Sequence, residues 1–357
     1  MKVLVTGGYF DASCEGFLDE VNLEDGSTRR LISHTPEAAL RVPTKGFTGS
    51  VRLDETTLLV CSFNAVHRID LACGEETGRL TQPDFNDLHS VGFDPETERI
   101  YVCNTGLDAI EVFDAAGRFL GRHATSPAWF ERERLGGAAV ERHHYPELLT
   151  AGWRGAGPDA VPRVAPLGDY YQPASSSRDA AGTASFRQSI VRDYLHPNHV
   201  VVVDGRLAVT MLASQEVRCL RTHQCLVRTD GHPHDGQIDG PRFWTTTTHG
   251  RITAWDRLTA PPWKAVEHYD VFATGFTGWC RGLLVLDDRI VVGLTEMRTQ
   301  PQYHWSDRPL NATSTSLVVL ARGSGRLLHH VQLPERHRHP KIFSLLACPD
   351  QPLRPRP

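Results

Sequence analysis

His89-Ser-Val-Gly-Phe-Asp94 is the first of four short runs of β-forming residues that follow one another with turn residues between them. The other three runs are Arg99-Ile-Tyr-Val-Cys-Asn104, Ala109-Ile-Glu-Val-Phe-Asp114 and Gly117-Arg-Phe-Leu120. Runs of this length, rich in β-branched and aromatic residues and bounded by Asp, Asn and Gly, predict β-strands. Residues 89–120 therefore predict one four-stranded unit.

The same order of runs recurs along the chain. The first run of four further units begins at Gly49, His199, His234 and Gly282. Gly49 and His89 are 40 residues apart, and His199 and His234 are 35 apart. Repeats of about 40 residues with four strands each are typical of β-propellers.

A sixth unit is split between the two ends of the chain. Residues 3–7 and 17–22 predict its second and third strands, and Phe343-Ser-Leu-Leu-Ala-Cys-Pro349 parallels residues 89–95 as its first strand. A C-terminal strand that completes the first blade closes the ring and leaves no sheet edge open. We therefore predict an all-β, six-bladed β-propeller that forms a single domain over residues 1–357. A stacked β-sandwich would not predict the split unit.

Two separations between units are longer than one blade. The extra residues lie at 125–187, between two blades, and at 297–312, between the second and third strands of a blade. Strand alternation puts both connections on the face where the first strands begin, so we predict two inserted loops on one face. Long aromatic loops at a propeller mouth favour a lid over a pocket. Surface insertions without a function are the alternative.

Composition and charge narrow the class of protein. The chain is 40% hydrophobic and 22% charged, with a formal net charge of −4, which indicates a globular protein and argues against nucleic-acid binding through bulk positive charge. No apolar stretch reaches about 18 residues, so no membrane span is expected. Eight cysteines without a Cys-x-x-Cys pair, and no signal-peptide pattern, favour a cytoplasmic location. The 34 arginines and 4 lysines are typical of a bacterial coding bias, and the sequence carries no signal for the oligomeric state.

Three histidines form the candidate site. His89, His199 and His234 occupy one position in the repeat, at the start of the first strand of three successive blades. These strands line the central channel, so the three imidazoles are expected to converge at one mouth. Three histidines with open positions form a catalytic type of metal site, and we predict a divalent transition metal here, Fe, Zn, Cu or Mn.

Other residues are expected at the same mouth. Arg281 is the predicted anchor for an anionic group and a candidate catalytic residue. Glu296 is a candidate proton-transfer group or further ligand. Asn104, Phe343 and Tyr303 are predicted to contact the substrate. The predicted function is that of a metal-dependent lyase, hydrolase or oxygenase acting on a small, anionic metabolite.

Two alternatives stay open for the same histidines. They serve acid–base or covalent chemistry in a metal-free transferase, or they are structural residues of a non-catalytic propeller that binds a ligand or a protein. His196 and His232 are second-rank candidate ligands, because the prolines beside them indicate turns ahead of the strands.

The repeat as a whole resembles the NHL/SMP-30-like superfamily of propellers. Residues 275–283, 291–298 and 342–346 are similar to an uncharacterised bacterial propeller family with the pattern Gly-Phe-x-Arg-Gly-Leu, Val-Gly-Leu-Ser-x-x-Arg and a closing Ile-Phe strand. This chain departs from it by inserting residues 278–280 and by Thr295 in place of Ser. The His-x4-Asp strands also resemble those of arylsulfotransferases, which implies sulfuryl transfer by the histidines and Arg281.

Overall fold

The computed structural model describes residues 1–11, 14–36, 45–82, 85–125, 195–297, 313–334 and 338–348, together with two strands at 173–178 and 184–186. Within these ranges the chain forms six four-stranded antiparallel sheets. The first strands of the six sheets contact one another in a closed ring. The predicted six-bladed β-propeller is therefore confirmed.

Blade 1 joins the two ends of the chain, as predicted. From the channel outward its strands are β26 (Pro340–Ala347), β1 (Lys2–Tyr9), β2 (Gly16–Asn22) and β3 (Thr28–His34). Blade 2 consists of β4 (Ser50–Arg52), β5 (Thr57–Cys61), β6 (Val66–Asp70) and β7 (Glu75–Leu80). Blade 3 consists of β8 (Leu88–Asp94), β9 (Arg99–Asn104), β10 (Ala109–Asp114) and β11 (Phe119–Ala124).

The second half of the ring repeats this order. Blade 4 consists of β14 (Pro197–Val203), β15 (Arg206–Met211), β16 (Glu216–Cys219) and β17 (Cys225–Arg228). Blade 5 consists of β18 (Pro233–Asp239), β19 (Arg242–Thr247), β20 (Arg251–Asp256) and β21 (Lys264–Asp270). Blade 6 consists of β22 (Trp279–Val285), β23 (Arg289–Thr295), β24 (Ser316–Ala321) and β25 (Leu327–Gln332). Short 3-10 turns span Thr105–Leu107 and Val271–Thr274.

Each blade buries both of its faces against its neighbours, which explains the continuous apolar runs in the sequence. In β1, Val3 and Val5 pack against blade 6, whereas Leu4, on the opposite face, packs against blade 2. Six such apolar clusters lie at the six blade interfaces. Full burial of one Val or Leu side chain stabilises the fold by about 1.5–3 kcal/mol, so these interfaces hold the ring together.

The inserted segments lie largely outside the described residues. Within the first insertion, 125–187, the structure describes Thr125 and a two-stranded antiparallel sheet of β12 (Pro173–Arg178) and β13 (Ala184–Phe186). Of the second, 297–312, it describes only Met297. The predicted lid and Tyr303 therefore stay predictions. No helix in the described part of the chain is long and apolar enough to cross a membrane.

Candidate functional site

Five of the six first strands, all except β4, carry a β-bulge or irregularity close to their first residues. In β8 the pairing register shifts between Leu88 and Ser90, so His89 is the extra residue. Phe343 is the extra residue of β26, and Gly282 is that of β22. A bulge re-aims the side chain of its extra residue. The position that the sequence repeat marks is therefore a position at which the chain turns a side chain toward the mouth of the channel.

His199 does not occupy this position. In β14 the register shifts between Pro197 and His199, so Asn198 is the extra residue. In β18, by contrast, His234 lies within the irregular stretch. His199 therefore lies one residue beyond the bulge position, next to Asp235 and Gly236 of blade 5. Its Nδ1 lies 3.3 Å from Ser90 Oγ.

A cavity of about 360 Å³ fills the central channel. His199 and Asp235 both line it, and the carboxylate of Asp235 accepts a hydrogen bond of 2.6 Å from Thr246. Strands from all six blades contribute to the wall, including Ser50, Val91, Leu283 and Ser344. His199 thus belongs to the channel wall.

The mouth of the channel is built around the ring of Phe343. Arg281 Cζ lies 4.7 Å from its centroid, Lys341 Nζ lies 5.8 Å from it, and the ring of His89 lies 6.4 Å away. Arg281 also stacks on Trp279, with Cζ 3.5 Å from a ring centroid. The polar members are buried, with 7% of Arg281, 5% of Lys341 and 7% of His89 exposed. An arginine and a lysine side chain therefore share one aromatic surface inside the protein.

Asp87 lies beside this group. Lys45 Nζ donates to Asp87 Oδ1 at 2.7 Å, and His89 Nδ1 lies 2.9 Å from the backbone carbonyl of Asp87. Asn104 holds the preceding turn, because its Oδ1 accepts a hydrogen bond from the backbone N–H of Asn86. We call Lys45, Asp87, His89, Arg281, Lys341 and Phe343 the mouth cluster. In this arrangement Asn104 supports the segment that carries Asp87.

Burial controls the protonation of the mouth cluster. Desolvation lowers the pKa of Lys341 well below its usual value, and the positive charges of Lys45 and Arg281 lower it further. Desolvation also lowers the pKa of His89, with Asp87 opposing and His196 adding to the effect. Neutral imidazole next to cations can accept a proton or a hydrogen bond, so the mouth offers both anion-binding and proton-accepting groups.

Histidine 234 lies close to Asp235. His234 Nδ1 is 3.4 Å from Asp235 Oδ1, but neither ring nitrogen meets hydrogen-bond geometry with a partner in the described residues. The ring is 4% exposed, and desolvation lowers its pKa while Asp235 opposes the shift. An unsatisfied buried imidazole is a costly feature, so Asp235, the nearest charged group, is the natural partner of this ring.

A metal ion needs ligand atoms that lie close to one another, so the distances between histidine, cysteine and carboxylate ligand atoms identify candidate metal sites. Among the described residues, one group of three has all its ligand atoms within 4.8 Å of one another, and it consists of His34, His67 and Glu76. His89, His199 and His234 are not such a group. A metal held by these three histidines stays a prediction. Glu296 lies at the end of β23 and contacts His339, whose Nδ1 is 2.9 Å from Glu296 Oε2.

Several residues of the channel mouth were not among the site residues predicted from the sequence. Lys45, Asp87 and Lys341 lie just before or at the start of first strands, and the ring of His196, a second-rank candidate, lies 4.8 Å from that of His89. The rarity of lysine in this chain is a sequence feature that could have pointed to Lys45 and Lys341. Only four of the 38 basic residues are lysines, and two of those four lie at the mouth.

Comparison with known proteins supports the fold only. No protein-family model and no curated protein sequence matches the chain. A crystal structure of a protein of unknown function from Bacteroides caccae has 10% identity and a TM-score of 0.56, over 96% of this chain and 97% of that one. A chain of the nidogen/laminin complex has 10% identity and a TM-score of 0.52, over 97% of each chain. The NHL/SMP-30-like resemblance and the C-terminal pattern stay predictions.

Proposed function

We propose that the mouth of the propeller channel binds a small anionic molecule. The observation that carries the proposal is the placement of two buried basic side chains, Arg281 and Lys341, on the ring of Phe343. Lys45 adds a third positive charge close enough to lower the pKa of Lys341.

Electrostatic repulsion among the basic side chains explains why an anion should bind here. Like charges held together away from water repel one another, and an anion between them replaces repulsion with attraction. Asp87 and Asp11 offset part of the positive charge around Lys341. A guanidinium also offers two parallel donors to a carboxylate, phosphate or sulfate. A ligand with one such group and an apolar part to lie on Phe343 and Trp279 suits this surface.

The histidines then act on or beside the bound anion without a metal. His89 and His234 are buried, and the pKa of each is lowered by desolvation, so each ring is neutral and able to accept a proton. This arrangement favours the metal-free alternatives, a transferase or a binding propeller. The metal-dependent lyase, hydrolase or oxygenase, with a metal held by His89, His199 and His234, stays a prediction that metal analysis of the tag-free protein tests.

Calorimetry on tag-free protein tests the proposal, with sulfate and phosphate as probes and chloride at equal ionic strength as the reference. Arg281→Gln should weaken sulfate binding by roughly 10- to 150-fold, the equivalent of losing one charge-assisted hydrogen bond. Arg118→Gln is the matched control, because Arg118 is an exposed residue paired with Asp114 on the rim. Equal sulfate affinity in all three proteins, or no binding in the wild type, would contradict the proposal.

A further inference from the structure

A second cluster of metal-ligating side chains lies between blades 1 and 2. His34 ends β3 of blade 1, whereas His67 in β6 and Glu76 in β7 belong to blade 2. His67 Nδ1 lies 3.2 Å from Glu76 Oε1, and His34 Nδ1 lies 3.5 Å from Glu76 Oε2. One ligand atom from each of the three residues lies within 4.8 Å of the others.

The hydrogen bonds around His67 leave a lone pair directed at Glu76. Ser62 Oγ donates to the carbonyl of Ala65, so it accepts from His67 Nε2–H, 2.9 Å away. In the tautomer that donates from Nε2, Nδ1 is an acceptor that faces a carboxylate oxygen, which is also an acceptor. Two acceptors at this distance attract only when a proton or a cation lies between them. Metal-binding histidines typically donate their second N–H to an oxygen in this way.

His34 adds an independent observation. Its Nε2 and the Nδ1 of His67 are both buried, and neither has a hydrogen-bond partner in the part of the chain that the structure describes. His67 is fully buried, and the two rings lie 4.4 Å apart between centroids. Buried ring nitrogens without partners are rare and costly, so the unused Nδ1 of His67, the nitrogen that faces Glu76, indicates a missing ligand.

From these contacts we infer that His34, His67 and Glu76 bind a divalent transition ion of the zinc class at the interface of blades 1 and 2. Zinc bonds of 2.0–2.2 Å at tetrahedral angles put ligand atoms about 3.3 Å apart. Each imidazole lies near this distance from one oxygen of Glu76, His67 Nδ1 at 3.2 Å from Oε1 and His34 Nδ1 at 3.5 Å from Oε2. Two imidazoles and one carboxylate favour zinc and its neighbours over magnesium or calcium. The three protein ligands leave one position for water or another small ligand.

Arg79 competes with the ion for the carboxylate. Its Nε and Nη2 donate to the two oxygens of Glu76 at 2.6 and 3.0 Å. Each carboxylate oxygen has two lone pairs, so each oxygen of Glu76 can accept from Arg79 and still offer a lone pair on the side of an imidazole. A positive neighbour weakens cation binding. Removing the charge of Arg79 should therefore tighten zinc binding, an effect that a purely structural ion pair would not show.

The test is a titration of chelator-treated, tag-free, full-length protein with Zn²⁺, followed by calorimetry, and with Co²⁺, followed by its visible absorption bands. We expect one zinc that binds at least about 10-fold more weakly in His34→Gln and Glu76→Gln, and more tightly in Arg79→Gln. His268→Gln is the control, since His268 lies on the outer strand β21, and it should bind as the wild type does.

Each outcome decides the inference. Loss of one equivalent in His34→Gln and its retention in His268→Gln support it. Unchanged zinc affinity in both His34→Gln and Glu76→Gln overturns it, as does the absence of bound zinc. Zinc that is kept in His34→Gln but lost in His199→Ala also overturns it and supports the metal site predicted at the mouth. If His34→Gln does not fold, the opposite shifts expected for Glu76→Gln and Arg79→Gln still decide.

Discussion

Replacing Lys341 by methionine should stabilise the propeller and weaken anion binding at the same time. The ammonium group is buried beside Lys45 and Arg281, so its removal relieves both dehydration and repulsion. Methionine keeps most of the volume, and its thioether packs well against the rings of Phe10 and Phe343, which lie 5.1 and 5.8 Å from Nζ.

The size of the effect follows from the burial. Replacing buried ionic groups by well-packed apolar residues of similar volume is often neutral or stabilising by up to about 4 kcal/mol, and we expect about 1–3 kcal/mol here because Lys341 also faces two other basic side chains. In a large domain, each kcal/mol of added stability raises the Tm by about 2 °C, so the Tm of Lys341→Met in chloride should rise by about 2–6 °C. The loss of one charge-assisted contact should weaken sulfate binding by roughly 10- to 150-fold.

The stability difference should also depend on pH. Desolvation and the neighbouring cations lower the pKa of Lys341 in the folded protein, and Asp87 and Asp11 oppose this only in part. The unfolded chain therefore binds more protons than the folded chain between the two pKa values, and wild-type stability falls as the pH falls from about 10.4 toward the folded pKa. The advantage of Lys341→Met should be smallest near pH 10 and widen toward neutral pH.

Urea denaturation followed by tryptophan fluorescence, in chloride and in sulfate at several pH values, measures all three effects. Lys264→Met is the matched control, because Lys264 is exposed at the start of β21, and it should change neither stability nor sulfate binding. A variant that is less stable than the wild type in chloride at pH 7, or that binds sulfate as tightly, would refute the reasoning about buried charge.

Three further outcomes are expected. Gly282→Ala should lose about 1–2 kcal/mol of stability in urea denaturation, because Gly282 has a φ of +77° and a Cβ would lie 2.9 Å from Leu345 Cγ. Unchanged stability would show that the bulge tolerates a side chain. The three-histidine metal prediction requires stoichiometric Fe, Zn, Cu or Mn in tag-free protein, measured by plasma mass spectrometry, and its loss in His199→Ala; full retention would contradict that prediction. Burial alone would raise the pKa of Glu20, but hydrogen bonds from Arg29 and Lys2 lower it overall. The ion pairs of Glu20 should therefore contribute about 1 kcal/mol of stability above its ordinary pKa of 4.5, and this contribution should be lost as the pH falls below that value. In acid denaturation, Glu20→Gln should not show this loss.

The candidate site was predictable where it follows the repeat. His89 and Phe343 share an equivalent position, and Arg281 precedes the same position in blade 6, so the register of the repeat alone brings them to one mouth. Lys45 and Lys341 escaped prediction because they meet only across two blades. His34, His67 and Glu76 also come from two blades, and their spacing in the chain matches no metal motif.

The amino-acid sequence by itself determined the architecture of this protein. Short apolar β runs, a repeat near 40 residues and a split unit specify six blades and their closure, because each sheet buries both faces and the ring leaves no edge open. Only the tertiary structure decided which side chains meet. The bulge in β14 falls on Asn198, and His199 lines the channel. The position of such a bulge depends on packing around the whole ring, and the local sequence does not encode that packing.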